Sequence, residues 1–337
     1  MNCSQTDRTQ IKVSLCVPVY NVEPFIDKCA SSLFAQDVTE QIEYIFVDDC
    51  STDNSIATLE RLLDENPDHK KRTTIIRQEQ NKGPQAARLE AVRIACGQYV
   101  CFCDSDDYVQ PDYVSTMLNE ATEKDADIVY CNITELFANG DTQSTHYSQL
   151  TLQSYIRNDQ FSYICGKLYK RSIFESVCTD REMQYFEDRM TTFRLLLKEP
   201  KIAFVDKPLY IYVRYNPQSM TGHAKLSRRV PQDLMTYWQK VDDLLREKGL
   251  TEKYEEDVAY AKIRDKAHVM LFCGSNEIRK KYADIFAEEE RQQTKKFSIG
   301  RQLMLWAVRN RLWTLCYAQQ KLMDLRRLMR QFKTSKH

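Results

Sequence analysis

The pattern of apolar and polar positions divides the first third of the chain into short apolar runs separated by amphipathic segments. The runs are short and continuously apolar, which is typical of strands buried on both faces. The segments between them carry apolar residues at helical spacing. Alternation of strand and helix predicts a parallel sheet covered by helices. The predicted strands are 13–21, 44–47, 74–77 and 99–103, and the predicted helices between them are 25–35, 56–63 and 86–96.

The pattern changes along the rest of the chain. Strands and helices still mix up to about residue 225, with Asn139-Gly140 as a hairpin-type turn. Beyond residue 226 only helical periodicity remains, including one long segment over 299–332. We therefore expect an α/β fold with a mixed, mainly parallel sheet at 1–225 and an all-helical C-terminal extension at 226–337. Predicted strands in this part are 128–132, 163–169, 202–205 and 209–214, and predicted helices are 111–124, 171–175, 187–197, 231–248, 252–271 and 278–290.

Length and composition narrow the class of protein. A chain of 337 residues can form one large α/β domain or one domain with a smaller appendage. Its twelve cysteines are scattered through apolar segments without a CxxC pair, so we expect reduced core thiols in a cytoplasmic protein and no zinc site. No run of about 18 uncharged apolar residues occurs, which predicts neither a signal peptide nor a spanning helix.

The net charge of zero conceals an uneven distribution. From Arg291 onward twelve Lys and Arg residues face one acid, Asp324, so the tail carries +11 and the remainder −11. Trp306 and Trp313 lie among leucines and arginines in this tail. Such basic amphipathic helices suit an anionic membrane surface, and we predict peripheral membrane contact through 297–332. The alternative is that the apolar face packs on protein. No nucleic-acid-binding module accompanies the charge.

Carboxylates follow two of the predicted parallel strands. Asp48 and Asp49 end the second strand, and Asp104, Asp106 and Asp107 end the fourth. Ligands bind outside the carboxyl ends of parallel strands, so the two groups should meet in one crevice. Like charges this close repel, and a divalent cation holding a phosphate ligand would relieve the repulsion. The alternative is a solvated turn that caps the next helix.

Five motifs stand out along the first two thirds of the chain: Val17-Pro18-Val19-Tyr20-Asn21, Val47-Asp48-Asp49-Cys50-Ser51-Thr52-Asp53, Asn81-Lys82-Gly83-Pro84 with Ala87-Arg88, Asp104-Ser105-Asp106-Asp107, and Glu187-Asp188. In this order and spacing they resemble family 2 of the inverting glycosyltransferases, which have the GT-A fold, a Rossmann-like α/β architecture. The resemblance covers residues 12 to about 222. Two small departures are Cys50, where glycine is usual, and Cys103, where an apolar residue is usual.

The resemblance implies a role for each matching residue. Pro18 and Tyr20 match the turn around the nucleotide base, and Asp49 matches the acid that binds uracil, which makes Asp48 structural. Lys82 and Arg88 match the turn and helix that close the base and ribose side. In the DxD motif, Asp104 matches the acid near the ribose and Asp106 the ligand of Mn²⁺ or Mg²⁺. The donor-binding half is then about 12–110 and the acceptor half about 111–225.

Asp188 matches the catalytic base of the family, with Glu187 before it as an orienting or acceptor-binding residue. Their alternative role is to cap the helix that begins there, since carboxylates are favoured in a first helical turn. Weaker candidates for acceptor or lid contacts are Lys167, Arg214 and His223. Each of these could instead be an ordinary solvated side chain.

The implied activity is metal-dependent transfer of a sugar from a nucleotide sugar, expected to be a UDP-sugar, to a hydroxyl of a surface polysaccharide or lipid-linked acceptor at the cytoplasmic face of the membrane. A nucleotidyltransferase of related fold is an alternative, but no Gly-rich phosphate loop follows the first strand. A non-catalytic signalling module is another, but it would carry its acidic pair after the first strand. A calcium loop is excluded because Tyr108 and Val109 stand where an oxygen ligand and a glycine are required.

Overall fold

The computed structural model describes residues 11–147, 149–158, 162–174, 177, 183, 185–217, 229–272, 275–319 and 321–322. The chain divides into two compact units. The first comprises residues 1–150, 160–179 and 191–216, and the second comprises 151–159, 180–190 and 217–337. The second unit thus includes two short segments from before residue 225. The division into a catalytic domain at 1–225 and a helical extension at 226–337 stays a prediction.

The first unit is built on one mixed sheet. Its strands are β1 Val13–Val19, β2 Ile42–Asp48, β3 Thr73–Arg77, β4 Tyr99–Phe102, β5 Tyr108–Val109, β6 Ile128–Leu136, β7 Thr142–Thr145, β8 Lys167–Lys170 and β9 Ile202–Val213. The order is β3-β2-β1-β4-β8-β6-β9-β5, and β7 pairs with β6. The first four strands are parallel, whereas β8 runs antiparallel to both β4 and β6. The predicted mixed α/β sheet is confirmed.

The central strands of the sheet are buried because helices cover both faces. Every residue of β1 is buried, and so is every residue of β2 except Glu43. Helices of the unit present apolar residues at helical spacing to this core, as Ile56, Leu59 and Leu63 do. The α-helices with defined bounds in the described part of the chain are α1 Glu23–Phe34, α2 Ser55–Glu65, α3 Pro67–Lys70, α4 Pro84–Ile94, α5 Tyr113–Glu123, α6 Leu152–Asn158, α7 Arg171–Phe174, α8 Glu187–Leu196, α9 Val230–Glu247, α10 Thr251–Phe272, α11 Asn276–Tyr282, α12 Ala287–Gln293 and α13 Ile299–Arg309.

Three predicted strands in the second half of the sheet differ from the structure. The strand predicted at 163–169 is confined to β8, because Gly166 has a φ of +68° directly before it. The strands predicted at 202–205 and 209–214 form one strand, β9. Its register against β6 shifts around Asn132, and the Asn132 side chain donates to Asp206 at 2.7 Å. The polar residues between the two predicted strands therefore cause an irregularity in strand pairing and do not form a turn.

The second unit is helical, as the periodicity predicts. One of its apolar clusters joins α10, α11 and α13 through Met270, Ile278, Tyr282, Met304 and Val308. A second cluster joins Ile263 and Ala267 of α10 to Phe297 and Leu305. Part of the basic tail thus packs its apolar face on protein, which was the alternative to membrane contact.

Two long predicted helices in this unit are interrupted. The helix predicted at 278–290 is split into α11 and α12, and Phe286 before α12 has a φ of +54°. The segment predicted at 299–332 ends as α13 at Arg309, and Arg311 has a φ of +57°. Residues 313–319 and 321–322 are helical again, and residues 323–337 lie outside the described part of the chain. A left-handed residue ends a helix because its carbonyl and amide leave the repeating hydrogen-bond pattern.

The cysteines follow the expectation with one exception. Eight of those described are free, and all but Cys50 of these are buried. Cys96 is disulfide-bonded, contrary to the expectation of reduced thiols throughout. Cys96 lies half-buried in the turn after α4. Among the described residues, no helix has both the length and the hydropathy to cross a bilayer.

Candidate active site

Asp49 joins the carboxyl end of β2 to the turn that precedes α4. Its backbone N–H donates to the carbonyl of Val19 at 2.8 Å. Its carboxylate accepts from the backbone N–H groups of Lys82 at 2.7 Å and Gly83 at 2.8 Å. Burial raises the pKa of Asp49, against the lowering effect of these two N–H donors. Gly83 has a φ of +87°, a conformation that glycine adopts at little cost.

The loops that follow β1 and β2 are hydrogen-bonded to each other. The Asn21 side chain accepts from the N–H of Thr52 at 2.8 Å, and Ser55 accepts from the N–H of Val22 at 2.8 Å. Asp48 accepts from the N–H of Ser51 at 2.8 Å, which fits the structural role expected of it. Cys50 has a φ of +68°, so the position favours glycine for a conformational reason.

Pro18 and Tyr20 lie at the end of β1 beside Asp49. Pro18 is buried opposite Val47, where it is tolerated because the pairing of β1 with β4 ends at Cys16. Tyr20 follows Val19 directly and is 48% exposed. An exposed aromatic ring at this edge is available to a flat ligand such as a nucleotide base.

Arg88 connects α4 to the acidic cluster after β4. Its guanidinium donates to the Asp104 carboxylate at 2.6 Å, and its side chain is 6% exposed. Asp49 holds the start of this helix region through Lys82 and Gly83. The two acidic strand ends therefore meet at one edge of the sheet, as predicted, with α4 between them. Lys82 contributes its backbone to this arrangement, and its side chain is exposed.

Asp106 is a half-buried carboxylate of the cluster. Burial raises its pKa, and the nearby Asp104 raises it further. The side-chain amide of Asn216 donates to it at 2.8 Å. Asn216 was missed by the sequence analysis, although its position soon after a predicted final strand was a signal that could have identified it.

Asp107, the third acid, is buried, and its carboxylate is hydrogen-bonded within the protein. The Tyr210 hydroxyl donates to it at 2.7 Å and the N–H of Val213 at 2.8 Å. The same hydroxyl accepts from the backbone N–H of Asp104 at 3.1 Å. Burial raises the pKa of Asp107 well above its ordinary value. Tyr210 of β9 thus holds both ends of the acidic turn, and sequence reasoning gave no role to either residue.

The three weaker candidates for acceptor or lid contacts are Lys167, Arg214 and His223. Lys167 is 4% exposed and donates to the carbonyl of Tyr163, so it is not a solvated strand-end lysine. Arg214 follows β9, and its Nε lies 3.8 Å from the Glu135 carboxylate. His223 lies outside the described residues. Contacts of these three residues to an acceptor or diphosphate stay a prediction.

Glu187 and Asp188 begin α8, as the sequence predicts, and both are half-buried. Both belong to the second unit, whereas Asp49, Asp104 and Asp106 belong to the first. The meeting of Asp188 with these aspartates in one site stays a prediction.

The acidic cluster can be tested for its fit to a divalent cation. No group of three or more His, Cys, Asp or Glu suited to a metal occurs among the described residues. Mg²⁺ and Mn²⁺ bound with a nucleotide require only one or two protein carboxylates, since phosphates and water supply the rest. Asp106, half-buried beside Asp104, fits that requirement, because a cation would offset both the burial and the nearby Asp104 charge that raise its pKa.

Comparison with known proteins identifies the family to which the fold and these motifs correspond. The family model described as glycosyl transferase family 2 matches residues 14–182. A relative from Bacillus subtilis (strain 168), named "Uncharacterized glycosyltransferase EpsJ", is 30% identical over 226 residues. The aligned part spans 62% of this chain and 62% of EpsJ, so the match covers less than two thirds of that relative.

Two solved structures resemble the whole fold. Residues 1–349 of TarS from S. aureus, in complex with UDP-GlcNAc, match with a TM-score of 0.65 and 19% identity, covering 94% of this chain and 92% of that one. The mannosyltransferase PcManGT from Pyrobaculum calidifontis, in complex with GDP-Man and Mn²⁺, matches with a TM-score of 0.54 and 16% identity, covering 95% and 87%. At these identities the likeness concerns the fold alone, and it confirms the predicted GT-A class.

Proposed function

Because this chain belongs to glycosyl transferase family 2, we propose that it transfers a sugar from a UDP-sugar to an acceptor hydroxyl with inversion at the anomeric carbon. The observation that carries the proposal is the convergence of Asp49, Arg88, Asp104 and Asp106 at the carboxyl edge of the parallel strands. A nucleotide lies at this edge in α/β folds. Tyr20 would contact the base, and Asp104 would lie near the ribose.

In this proposal Asp106 would hold Mn²⁺ or Mg²⁺ when the donor diphosphate is bound. When bound, the cation would stabilise the charge that develops on the leaving phosphate oxygen. Asn216 would orient the Asp106 carboxylate through its 2.8 Å hydrogen bond. Tyr210 links Asp107 to the backbone of Asp104 and so joins the two ends of the acidic turn.

Asp188 is proposed as the base that accepts the proton of the acceptor hydroxyl. A hydroxyl has a pKa far above 7 and attacks efficiently only when its proton is removed as the bond forms. One base on the face opposite the leaving group produces inversion, and no carboxylate acts as a nucleophile.

We expect UDP-sugars to bind and to be hydrolysed slowly in the presence of Mn²⁺, with both effects removed by EDTA. Water replaces the missing acceptor in such an assay. The measurement is UDP or GDP release from a panel of UDP- and GDP-sugars. Release of pyrophosphate from nucleoside triphosphates would favour the nucleotidyltransferase alternative. Failure of every nucleotide to bind in the presence of Mn²⁺ would contradict the proposal.

We also propose that the enzyme contacts an anionic membrane from the cytoplasmic side, next to a saccharide or lipid-linked acceptor. In α13, one face packs on the helical unit through Met304 and Val308. The opposite face exposes Ile299, Leu303 and Trp306, at 84%, 41% and 44%. Exposed apolar side chains beside cations suit an interfacial helix.

Replacing both Leu303 and Trp306 by Glu is expected to abolish binding to vesicles that contain phosphatidylglycerol. Arg309→Gln should weaken binding about fivefold, since one cation near such a surface contributes about 1 kcal/mol. Co-sedimentation at low and high salt measures both effects.

The control is Met235→Glu, which changes another exposed apolar residue, in α9. Deleting the whole tail is a poorer test because it also removes Met304 and Val308 from the core of the unit. Unchanged vesicle binding of the double variant would contradict membrane contact through α13.

A further inference from the structure

The segment that carries Asp188 is held by the helices of the second unit. The backbone N–H of Tyr185 donates to the Asp233 carboxylate of α9 at 2.9 Å. The carbonyl of Arg189 accepts from the Tyr155 hydroxyl of α6 at 2.7 Å. The chain on both sides of Asp188 is therefore attached to the helical unit by hydrogen bonds to its backbone.

Arg189 makes a second, stronger attachment through its side chain. Its guanidinium donates to the Asp265 carboxylate of α10 at 2.9 Å and lies 4.5 Å from the ring centre of Tyr237. Both partners of the ion pair are buried, with side chains 9% and 7% exposed. Hydrogen bonds to a charged buried partner are among the more directional contacts in proteins.

Asp265 is itself fixed by further donors. Trp238 Nε1 donates to it at 3.1 Å, and Arg264 donates to its other oxygen at 2.7 Å. Burial alone would raise its pKa, but Arg189 and Arg264 hold the pKa of this carboxyl below its usual range. The carboxylate is thus charged near neutral pH, and donors hold both of its oxygens.

The backbone before Asp188 is strained, which also indicates an imposed geometry. Phe186 has a φ of +69°, a conformation that bulky residues rarely adopt. Such a residue persists when its surroundings over-determine it. Here the surroundings include Tyr237, whose ring centre lies 5.9 Å from that of Phe186.

We infer that Asp265 is a positioning residue for catalysis: by holding Arg189, it orients the first turn of α8 and with it the Asp188 carboxylate. The inference rests on the proposed function, in which Asp188 is the base. It makes the helical unit part of the catalytic machinery and not an accessory to it. A buried ion pair contributes less to stability than to a defined geometry in several proteins, which fits this role.

Arg189→Met tests the inference in the full chain. Methionine can keep the packing on Tyr237 and Trp238, and Asp265 keeps Arg264 as a partner. We expect the rate of UDP release from the nucleotide sugar found active in the panel to fall about 10–100-fold in kcat, as for a small misplacement of a reacting group. The affinity for UDP with Mn²⁺, measured by isothermal titration calorimetry, should stay unchanged. Arg189→Lys should recover part of kcat, since it restores the charge and one hydrogen bond to Asp265.

The matched control is Arg246→Met, which removes an exposed arginine paired with Asp243 in the same unit. It should leave kcat unchanged. A fall in kcat for Arg189→Met that only follows the folded fraction, as measured by circular dichroism, would overturn the inference. So would a full kcat in the folded variant while Asp188→Asn is inactive. If Asp188→Asn is itself active, Asp188 is not the base, and the proposed function is contradicted whatever Arg189 does. The activity of Asp188→Asn therefore distinguishes failure of the proposed function from failure of the inference about Asp265.

Discussion

Asp188→Asn is expected to lower sugar transfer by about 10²–10⁴-fold, the range contributed by a positioned general base. The amide has almost the same shape as the carboxylate but cannot accept the proton of the attacking hydroxyl. The donor site in the first unit is untouched, so UDP should bind with Mn²⁺ as it does to the unchanged protein. Calorimetric titration of UDP and the rate of UDP release together measure the two effects.

The control for Asp188→Asn must separate base catalysis from helix stability. A carboxylate in a first helical turn stabilises the helix by about 0.3–1 kcal/mol. Glu252→Gln removes an exposed acid from the first turn of α10 and loses only that contribution. It should keep full activity. Loss of UDP binding in Asp188→Asn would indicate a structural role, and undiminished transfer would contradict the assignment of the base.

Asp106→Ala is expected to abolish binding of UDP that depends on Mn²⁺, together with transfer. The carboxylate is the expected protein ligand of a cation whose stabilisation of the leaving group is worth several kcal/mol, so the rate should fall by more than about 10²-fold. The Asn216 amide also loses its acceptor. Calorimetry with UDP, with and without Mn²⁺, measures the loss directly.

The comparison variant for Asp106→Ala is Asp68→Ala, which removes a surface carboxylate paired with Lys71. It should leave UDP binding and thermal unfolding unchanged, because exposed pairs contribute little to stability. Thermal unfolding of Asp106→Ala shows whether its fold persists. If the folded variant still binds UDP in a manner that requires Mn²⁺, then the metal ligand lies elsewhere.

The sequence alone predicted the parallel strands, the carboxylates at their ends and their convergence at one edge of the sheet. These properties depend on local patterns: a buried parallel strand is continuously apolar, and its carboxyl end lies beside those of its neighbours. The resemblance added roles for Asp49, Arg88, Asp104 and Asp106. The breaks in the predicted helices 278–290 and 299–332 were not predicted. Phe286 and Arg311 adopt left-handed backbone conformations there, and nothing in the type of these residues indicates such a conformation.

The tertiary structure alone decided the contacts between residues far apart in the chain. Asn216 meets Asp106 across 110 positions, and Tyr210 meets Asp107 across 103, because β9 returns to pair with β5. Arg189 meets Asp265 across 76 positions. Periodicity shows which face of a helix or strand is apolar. Which polar side chains come into contact depends on how the whole chain packs. The supports of the acidic turn and of the α8 first turn are therefore properties of the fold, whereas the acids they support can be read from the sequence.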